Sequence, residues 1–225
     1  MKNKLNHIAL ILDGNKRWAK NNNVTNTYGY TRGFENIRNI VKYSLSLKLS
    51  NLTIFALSSE NFKRSSIKIL YNIIYENFSN ILDELVKEKG VKITIFGKKD
   101  NLPNKILDIF ENIENLSSNN NSLNLNIAFN YGFKEEVKNI LKTLKDNKID
   151  INNNDDINNL FFLGRVPDPD ILIRTGGYQR LSNFIMYNLT YTELFFTKTL
   201  WPDFSEDEYL SIINQFLSIN RKYGL

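Results

Sequence analysis

Four apolar runs in this chain stop abruptly at residues that can bind anions or handle protons. Leu12 is followed by Asp13-Gly14-Asn15, with Lys16 and Arg17 behind them. Leu57 leads into Ser58-Ser59-Glu60-Asn61, Phe129 into Asn130-Tyr131-Gly132, and Ile173 into Arg174-Thr175-Gly176-Gly177. Turn formation accounts for glycine and asparagine at such ends. It does not account for a guanidinium directly after a buried-looking run, as at Arg174. Arg17, Arg64, Arg174 and Arg180 are the guanidiniums near these ends, and their planar forks match phosphate oxygens. Gly14 and Asn15 precede a helix expected from Lys16 onward, whose free N–H groups can receive a phosphate. Asp13 would repel that phosphate unless a divalent cation lay between them. Mg2+ suits the place, because it takes one or two carboxylates together with phosphate oxygens and water. Two other roles stay open for Asp13: a helix cap, or an ion-pair partner of Arg17.

Composition narrows the chemistry. The 225 residues include no cysteine and a single histidine, His7, which excludes disulfides, thiolate metal sites and multi-histidine metal sites. His7 opens an apolar run, a poor place for a general base. The formal net charge of +5 is compatible with phosphates, nucleic acid or a lipid surface, and a coding bias toward Lys, Asn, Ile and Tyr would produce it equally. There is no G-x-x-x-x-G-K-[ST] loop, no G-x-G-x-x-G fingerprint and no nucleic-acid-binding motif, so nucleic acid is not an expected partner. No run of eighteen apolar residues is present, and Met1 leads straight into polar residues, so a cytoplasmic protein without a membrane span or signal peptide is expected.

The elements that must position these residues alternate along the chain. Strands are expected at Ile8–Leu12, Leu52–Leu57, Val91–Phe96, Leu125–Phe129, Ile171–Ile173 and Leu194–Phe196. Most are rich in Ile, Leu and Phe without polar alternation, as in strands covered on both faces. Helices are expected at Thr31–Lys48, Ile67–Lys89, Pro103–Leu116, Lys134–Lys145 and Glu206–Asn220, with asparagine-rich loops at Asn21–Asn23, Asn119–Asn121 and Asn152–Asn154. Such alternation predicts an α/β fold with a mostly parallel sheet flanked by helices, in one domain over residues 1–225. The carboxyl ends of parallel strands lie along one edge, where ligands bind, so the four polar ends would meet there. The Ile67–Lys89 helix has an unusually wide apolar face, which would serve either as core or as the wall of a hydrocarbon tunnel.

Assembled in order, the motifs resemble those of the cis-prenyltransferases, the family of bacterial undecaprenyl diphosphate synthase. The resemblance rests on "HIALILDGNKRWAK", "TIFALSSENFKRS", "LNIAFNYGFKEEV" and "PDPDILIRTGGYQRLSNFIMYNLTYTELFFTKTLWPDF", and spans nearly the whole chain. The aspartate-rich DDxxD pairs of trans-type prenyl synthases are absent. The resemblance implies a parallel sheet with a hydrophobic tunnel between helices and sheet, in a homodimer. It implies repeated addition of isopentenyl diphosphate to an allylic diphosphate such as farnesyl diphosphate, giving an undecaprenyl-type product, the lipid-carrier precursor for cell-wall synthesis. Contact with a membrane would be peripheral, for product release.

Site roles follow from the same resemblance. Asp13 would bind Mg2+, with Glu193 contributing to the metal site. Gly14, Asn15, Lys16, Arg17 and Trp18 would line the allylic diphosphate site with Arg64. Arg174, Arg180 and Ser182, with the adjoining Leu181, would hold isopentenyl diphosphate. Asn61, flanked by Ser58, Ser59 and Glu60, stands where proton removal is assisted, and an amide there would orient or relay rather than act as a strong base. Departures are also visible. Asn26 and Tyr30 stand where the family has Arg and His, with Arg32 a candidate to compensate. Phe62 and Tyr187 stand where Trp is common, and Tyr178 where Glu is often found. Lys222, in the tail "NRKYGL", takes an arginine position. A non-catalytic prenyltransferase-like subunit and a shorter-chain synthase are the alternatives.

Overall fold

The computed structural model describes residues 4–62, 71–72, 75–76, 85–86, 90–146 and 154–220. All six expected strands form: His7–Ile11 (β1), Asn51–Ser58 (β2), Val91–Phe96 (β3), Leu123–Tyr131 (β4), Ile171–Arg174 (β5) and Glu193–Phe196 (β6). They make one sheet in the order β3-β4-β2-β1-β5-β6, parallel at every pairing. Helices with bounds among the described residues include the α-helices Asn15–Asn21 (α1), Asn26–Ser46 (α2), Ser59–Phe62 (α3), Asn104–Ser117 (α4), Phe133–Asp146 (α5), Asn154–Asn158 (α6) and Glu206–Ser218 (α7). Among the described residues no helix is long and apolar enough to cross a membrane.

Side chains alternate across a strand, and this splits the core in two. Ile8, Leu10, Leu52 and Ile54 pack on one face with Ile40 and Val41 of α2, Phe110 of α4 and Phe216 of α7. Ala9, Ile11, Phe55 and Leu172 pack on the other with Tyr131, Leu163 and Phe184. Coverage on both faces explains why the central strands are mostly apolar on both sides. The edge strand β3 differs, with Lys92 and Thr94 exposed between buried neighbours. The Ile67–Lys89 helix expected from the sequence falls mostly outside the described residues. Within it, Leu85 is fully buried and Tyr71, Tyr75 and Val86 pack against the first core.

Helix α2 starts five residues before the Thr31 expected from apolar spacing. Thr25 caps it, its hydroxyl accepting from the Tyr28 N–H at 3.2 Å. Gly29 and Gly33 give the segment its loop-like look, yet both lie inside the helix. They are there for close approach. A Cβ on Gly29 would sit 2.7 Å from the Asn15 carbonyl oxygen and 2.9 Å from the Ala19 Cβ. A Cβ on Gly33 would sit 2.2 Å from Asn15 Oδ1. The two glycines let α1 lie directly on α2.

His7 is a structural residue. It is fully buried, with Nδ1 2.5 Å from the Pro167 carbonyl and Nε2 2.7 Å from the Thr53 hydroxyl. A carbonyl only accepts, so Nδ1 donates and the neutral ring accepts the Thr53 hydroxyl at Nε2. Burial drives the imidazole pKa down to about 4, against the opposing pull of the Pro167 carbonyl and Asp170. The unfolded chain therefore binds a proton near pH 6.5 that the folded chain refuses until about pH 4. Stability should fall as pH drops through that window, by up to about 3 kcal/mol, and be indifferent to His7 above pH 7. Thermal melts at pH 7 and 4.5 should show a smaller drop for His7→Gln than for wild type; equal drops would reject the assignment.

Candidate active site

The carboxyl ends of β1, β2 and β5 open into a cavity of about 680 Å³, a ligand-sized volume. Its floor centres on Asp13. The Asp13 N–H donates to the Ile11 carbonyl and the Thr175 hydroxyl, both at 3.0 Å. The Asp13 carbonyl accepts the Thr175 hydroxyl at 2.8 Å and the Trp201 N–H at 3.1 Å. Trp201 is itself fastened to α2, its indole N–H donating to the Gly33 carbonyl at 2.8 Å and its carbonyl accepting from Asn36 at 2.7 Å. The backbone of Asp13 is thus fixed from β5 and from α2.

Its carboxylate takes one guanidinium on each oxygen: Arg17 on Oδ1 at 3.0 Å and Arg174 on Oδ2 at 2.9 Å. Of the three roles open for Asp13, the helix cap is excluded. Gly14 occupies the cap position at φ 127°, and no side chain caps α1. The ion pair with Arg17 is present, and a second one with Arg174 joins it. The carboxylate still lines the cavity, with its side chain 27% exposed.

Arg174 is the buried member, its side chain 4% exposed. Nη1 donates to the Ser182 hydroxyl at 2.6 Å and to the Arg180 carbonyl, while Nε is buried without a hydrogen-bond partner. Arg17 also donates from Nη1 to the Gly176 carbonyl at 2.6 Å. Gly176, at φ 84°, permits this approach, since a Cβ there would meet Arg17 Nη2 at 2.5 Å. The Tyr178 ring gathers the cations, with guanidinium carbons of Arg180, Arg17 and Arg174 at 4.3, 4.8 and 5.8 Å from its centroid.

Glu60 and Asn61 border the cavity at the end of β2. Burial pushes the Glu60 carboxyl up, but hydrogen bonds from its own backbone N–H, Asn183, Ser58 and Ser59 outweigh it and hold the pKa below the ordinary carboxylate value. Glu60 is therefore an ionised acceptor and a weak base. The Asn61 N–H donates to the Ser58 hydroxyl at 3.2 Å. Charge around the cavity is unbalanced: Lys16, Arg17, Arg174 and Arg180 face two carboxylates, Asp13 and Glu60. The same cavity is also lined by Ile11, Leu12, Phe55, Ala56 and Leu57, which supply its apolar wall. The arrangement can hold a strongly anionic head against the cations while an apolar body lies on the wall.

Most residues expected at the site line this cavity: Asp13, Gly14, Asn15, Lys16, Arg17, Asn26 and Tyr30 from the first segment, and Ser58, Glu60, Asn61, Arg174, Arg180 and Ser182 from the later ones. Others do not. Trp18 is buried, stacks on Tyr28 and donates its indole N–H to Asp203 at 2.7 Å. Ser59 borders a smaller depression beside Phe62, and Phe62 packs against the core. Leu181 packs in the second core. Arg32 pairs with Glu35 and does not line the cavity, so it supplies no compensation for Asn26 and Tyr30. Glu193 begins β6 opposite Ile171, at the amino edge of the sheet, whereas Asp13 lies beyond its carboxyl edge. Within one chain Glu193 and Asp13 therefore stand at opposite edges of the sheet. Arg64 and Lys222 lie outside the described residues.

Two cavity residues escaped the sequence. Asn183 donates to Glu60 Oε1 at 2.9 Å, and its own oxygens accept from the Phe133 and Lys134 N–H groups, tying the loop after β5 to the ends of β2 and β4. Its left-handed backbone, φ 64°, is one that asparagine tolerates, a faint signal at best. Tyr178 stood in view as an aromatic between Arg174 and Arg180, but nothing in the sequence shows a ring collecting cations.

The chain matches, over residues 11–224, the protein family described as "Putative undecaprenyl diphosphate synthase". The isoprenyl transferase of Thermotoga maritima is 37% identical over 226 residues, covering 97% of this chain and 96% of its own. The tritrans,polycis-undecaprenyl-diphosphate synthase (geranylgeranyl-diphosphate specific) of Thermococcus kodakarensis is 36% identical over 227 residues, covering 97% and 86%. Among solved structures, lavandulyl diphosphate synthase from Lavandula x intermedia, in complex with dimethylallyl diphosphate, superposes with a TM-score of 0.85 at 30% identity over 98% of both chains. A probable undecaprenyl diphosphate synthase from Campylobacter jejuni superposes with a TM-score of 0.80 at 26% identity, over 99% of this chain and 100% of the other.

Proposed function

We propose that this chain, which belongs to the undecaprenyl diphosphate synthase family of cis-prenyltransferases, condenses isopentenyl diphosphate repeatedly onto an allylic diphosphate. The primer is farnesyl diphosphate and the product a long-chain polyprenyl diphosphate of undecaprenyl length. The observation that carries the reading is the cavity's division into a cationic floor and an apolar wall at one sheet edge. Breaking the bond between an allylic carbon and its diphosphate builds negative charge on the leaving group. Preorganised guanidiniums stabilise that charge with little reorganisation.

Arg17, with Gly14 and Asn15, holds the allylic diphosphate in this reading. Arg174, Arg180 and Ser182 hold that of isopentenyl diphosphate. Fixing both heads on one floor brings the second substrate's double bond against the allylic carbon, a gain in proximity. The wall of Leu12, Phe55 and Leu57 keeps water from the carbon that becomes electron-poor. Asn61 orients the isopentenyl group. As the allylic C–O bond breaks and the new carbon–carbon bond forms, the proton lost from that group passes to a diphosphate oxygen, Glu60 being ionised but a weak base.

The site also fits Mg2+. Asp13 offers a hard-oxygen donor at the cavity, and among the described residues no group of three acidic, His or Cys side chains forms a protein-only cage. That suits an ion bound by one carboxylate, phosphate oxygens and water. When bound, Mg2+ supplies positive charge against the leaving diphosphate. Pairing as a homodimer and peripheral contact with a membrane for product release belong to the same reading and draw on the family resemblance.

Purified protein given farnesyl diphosphate, radiolabelled isopentenyl diphosphate and Mg2+ should build label into a butanol-extractable lipid that migrates as a long-chain polyprenyl species on thin-layer chromatography. A folded preparation that incorporates none would overturn the proposal. A short product would overturn the assigned length alone.

A further inference from the structure

The Tyr178 ring contacts guanidiniums from three places in the chain: Arg17 in α1, Arg174 at the end of β5, and Arg180 in the loop beyond it. Three like charges crowded against one another repel, and some group must hold them together. Asp13 holds two of them, Arg17 and Arg174, and in doing so offsets part of their charge. Arg180 has no carboxylate partner with Asp13, and its shortest contact in this set is the ring, at 4.3 Å. An aromatic face attracts cations through its quadrupole and carries no net charge of its own.

We propose that Tyr178 is a positioning residue, a neutral aromatic clamp that keeps Arg180 converged with Arg17 and Arg174 on a diphosphate while leaving their charge available. The inference rests on the proposed diphosphate reading of the cavity. It assigns the effect mainly to Arg180, because Arg17 and Arg174 have other anchors at Gly176, Ser182 and Asp13. It also assigns the effect to the ring face rather than to the hydroxyl. The ring is 44% exposed, so replacing it should leave the fold intact.

The test uses the full chain and inorganic pyrophosphate, titrated by calorimetry at fixed ionic strength. Wild type and Tyr178→Phe should bind alike. Tyr178→Leu, which keeps apolar bulk and loses the π face, should bind about tenfold more weakly, with an unchanged thermal melt. Equal binding by Tyr178→Leu and wild type overturns the clamp while leaving the diphosphate reading in place. Weakened binding by Tyr178→Phe overturns the assignment to the ring face. Absence of binding by wild type overturns the diphosphate reading and the clamp with it.

Discussion

Asp13→Ala should lower prenyl-transfer turnover about a thousandfold while leaving a folded chain. The carboxylate has two duties that the substitution removes together. It aligns Arg17 and Arg174 from opposite sides of the floor, and it is the hard-oxygen donor available to Mg2+ beside them. The fold should survive. Arg174 retains acceptors in Ser182 and the Arg180 carbonyl, and the Asp13 backbone is held by Thr175 and Trp201 through atoms the substitution keeps. Asp13→Asn separates the duties, since an amide of the same size can accept from one guanidinium but binds Mg2+ poorly. Its turnover should stay low and not recover with added Mg2+. Initial rates across a Mg2+ titration, alongside circular dichroism melts, make the measurement. Near-normal turnover in either variant would contradict the metal role.

Arg174→Ala should also weaken the fold. The wild-type guanidinium is buried and donates to Asp13, Ser182 and the Arg180 carbonyl. Truncation takes this donor from the Ser182 hydroxyl and the Arg180 carbonyl and leaves a void where the fork lay, while Asp13 keeps Arg17. Losing a buried, hydrogen-bonded side chain of this kind costs about 1–3 kcal/mol. Arg174→Lys should recover only part of this. A single ammonium is a point charge on a flexible stem and cannot reproduce a fork that reaches Asp13 on one side and Ser182 on the other. Urea unfolding should therefore rank wild type above Arg174→Lys above Arg174→Ala. The KM for isopentenyl diphosphate should rise in the lysine variant. A lysine variant as stable as wild type would show that the fork geometry is dispensable.

Much of the site was legible because strand direction and apolar runs fix which polar residues share an edge. Asp13, Ser58, Asn61 and Arg174 each follow an apolar run, and all four line one cavity. Glu193 shows the same rule working in reverse. The expected strand began at Leu194, so Glu193 preceded it and belonged to the amino edge. The resemblance alone implied a metal role for Glu193, and its place in the strand sets it apart from Asp13 within one chain. Trp18 misled differently. One helical turn beyond Gly14, it faces Tyr28 on α2 rather than the cavity. The early start of α2 was hidden because Gly29 and Gly33 look like breakers until the neighbour pressed against them is known. The role of Tyr178 was hidden for a similar reason: a ring's partners depend on how loops converge, which spacing along the chain does not encode.

The buried polar line through the sheet has one more consequence, for strand alignment. A strand that is apolar on both faces can slip along its neighbour and bury nearly the same surface, so its hydrophobic pattern says little about alignment. Here Asn124 bonds its directly paired Asn51 at 3.1 Å, Asn126 bonds its paired Thr53 at 3.2 Å, and Thr53 meets His7 on β1. A slip of one residue would separate these partners and leave polar groups stranded in the core, a cost the apolar surface cannot impose. The line acts as a vernier across β4, β2 and β1. It lies toward the amino ends of the strands, and register shifts between Phe55 and Ser58 then adjust how far β2 reaches at the other end. The level at which Asp13 stands beside the cavity is thus tied to side chains that never line it.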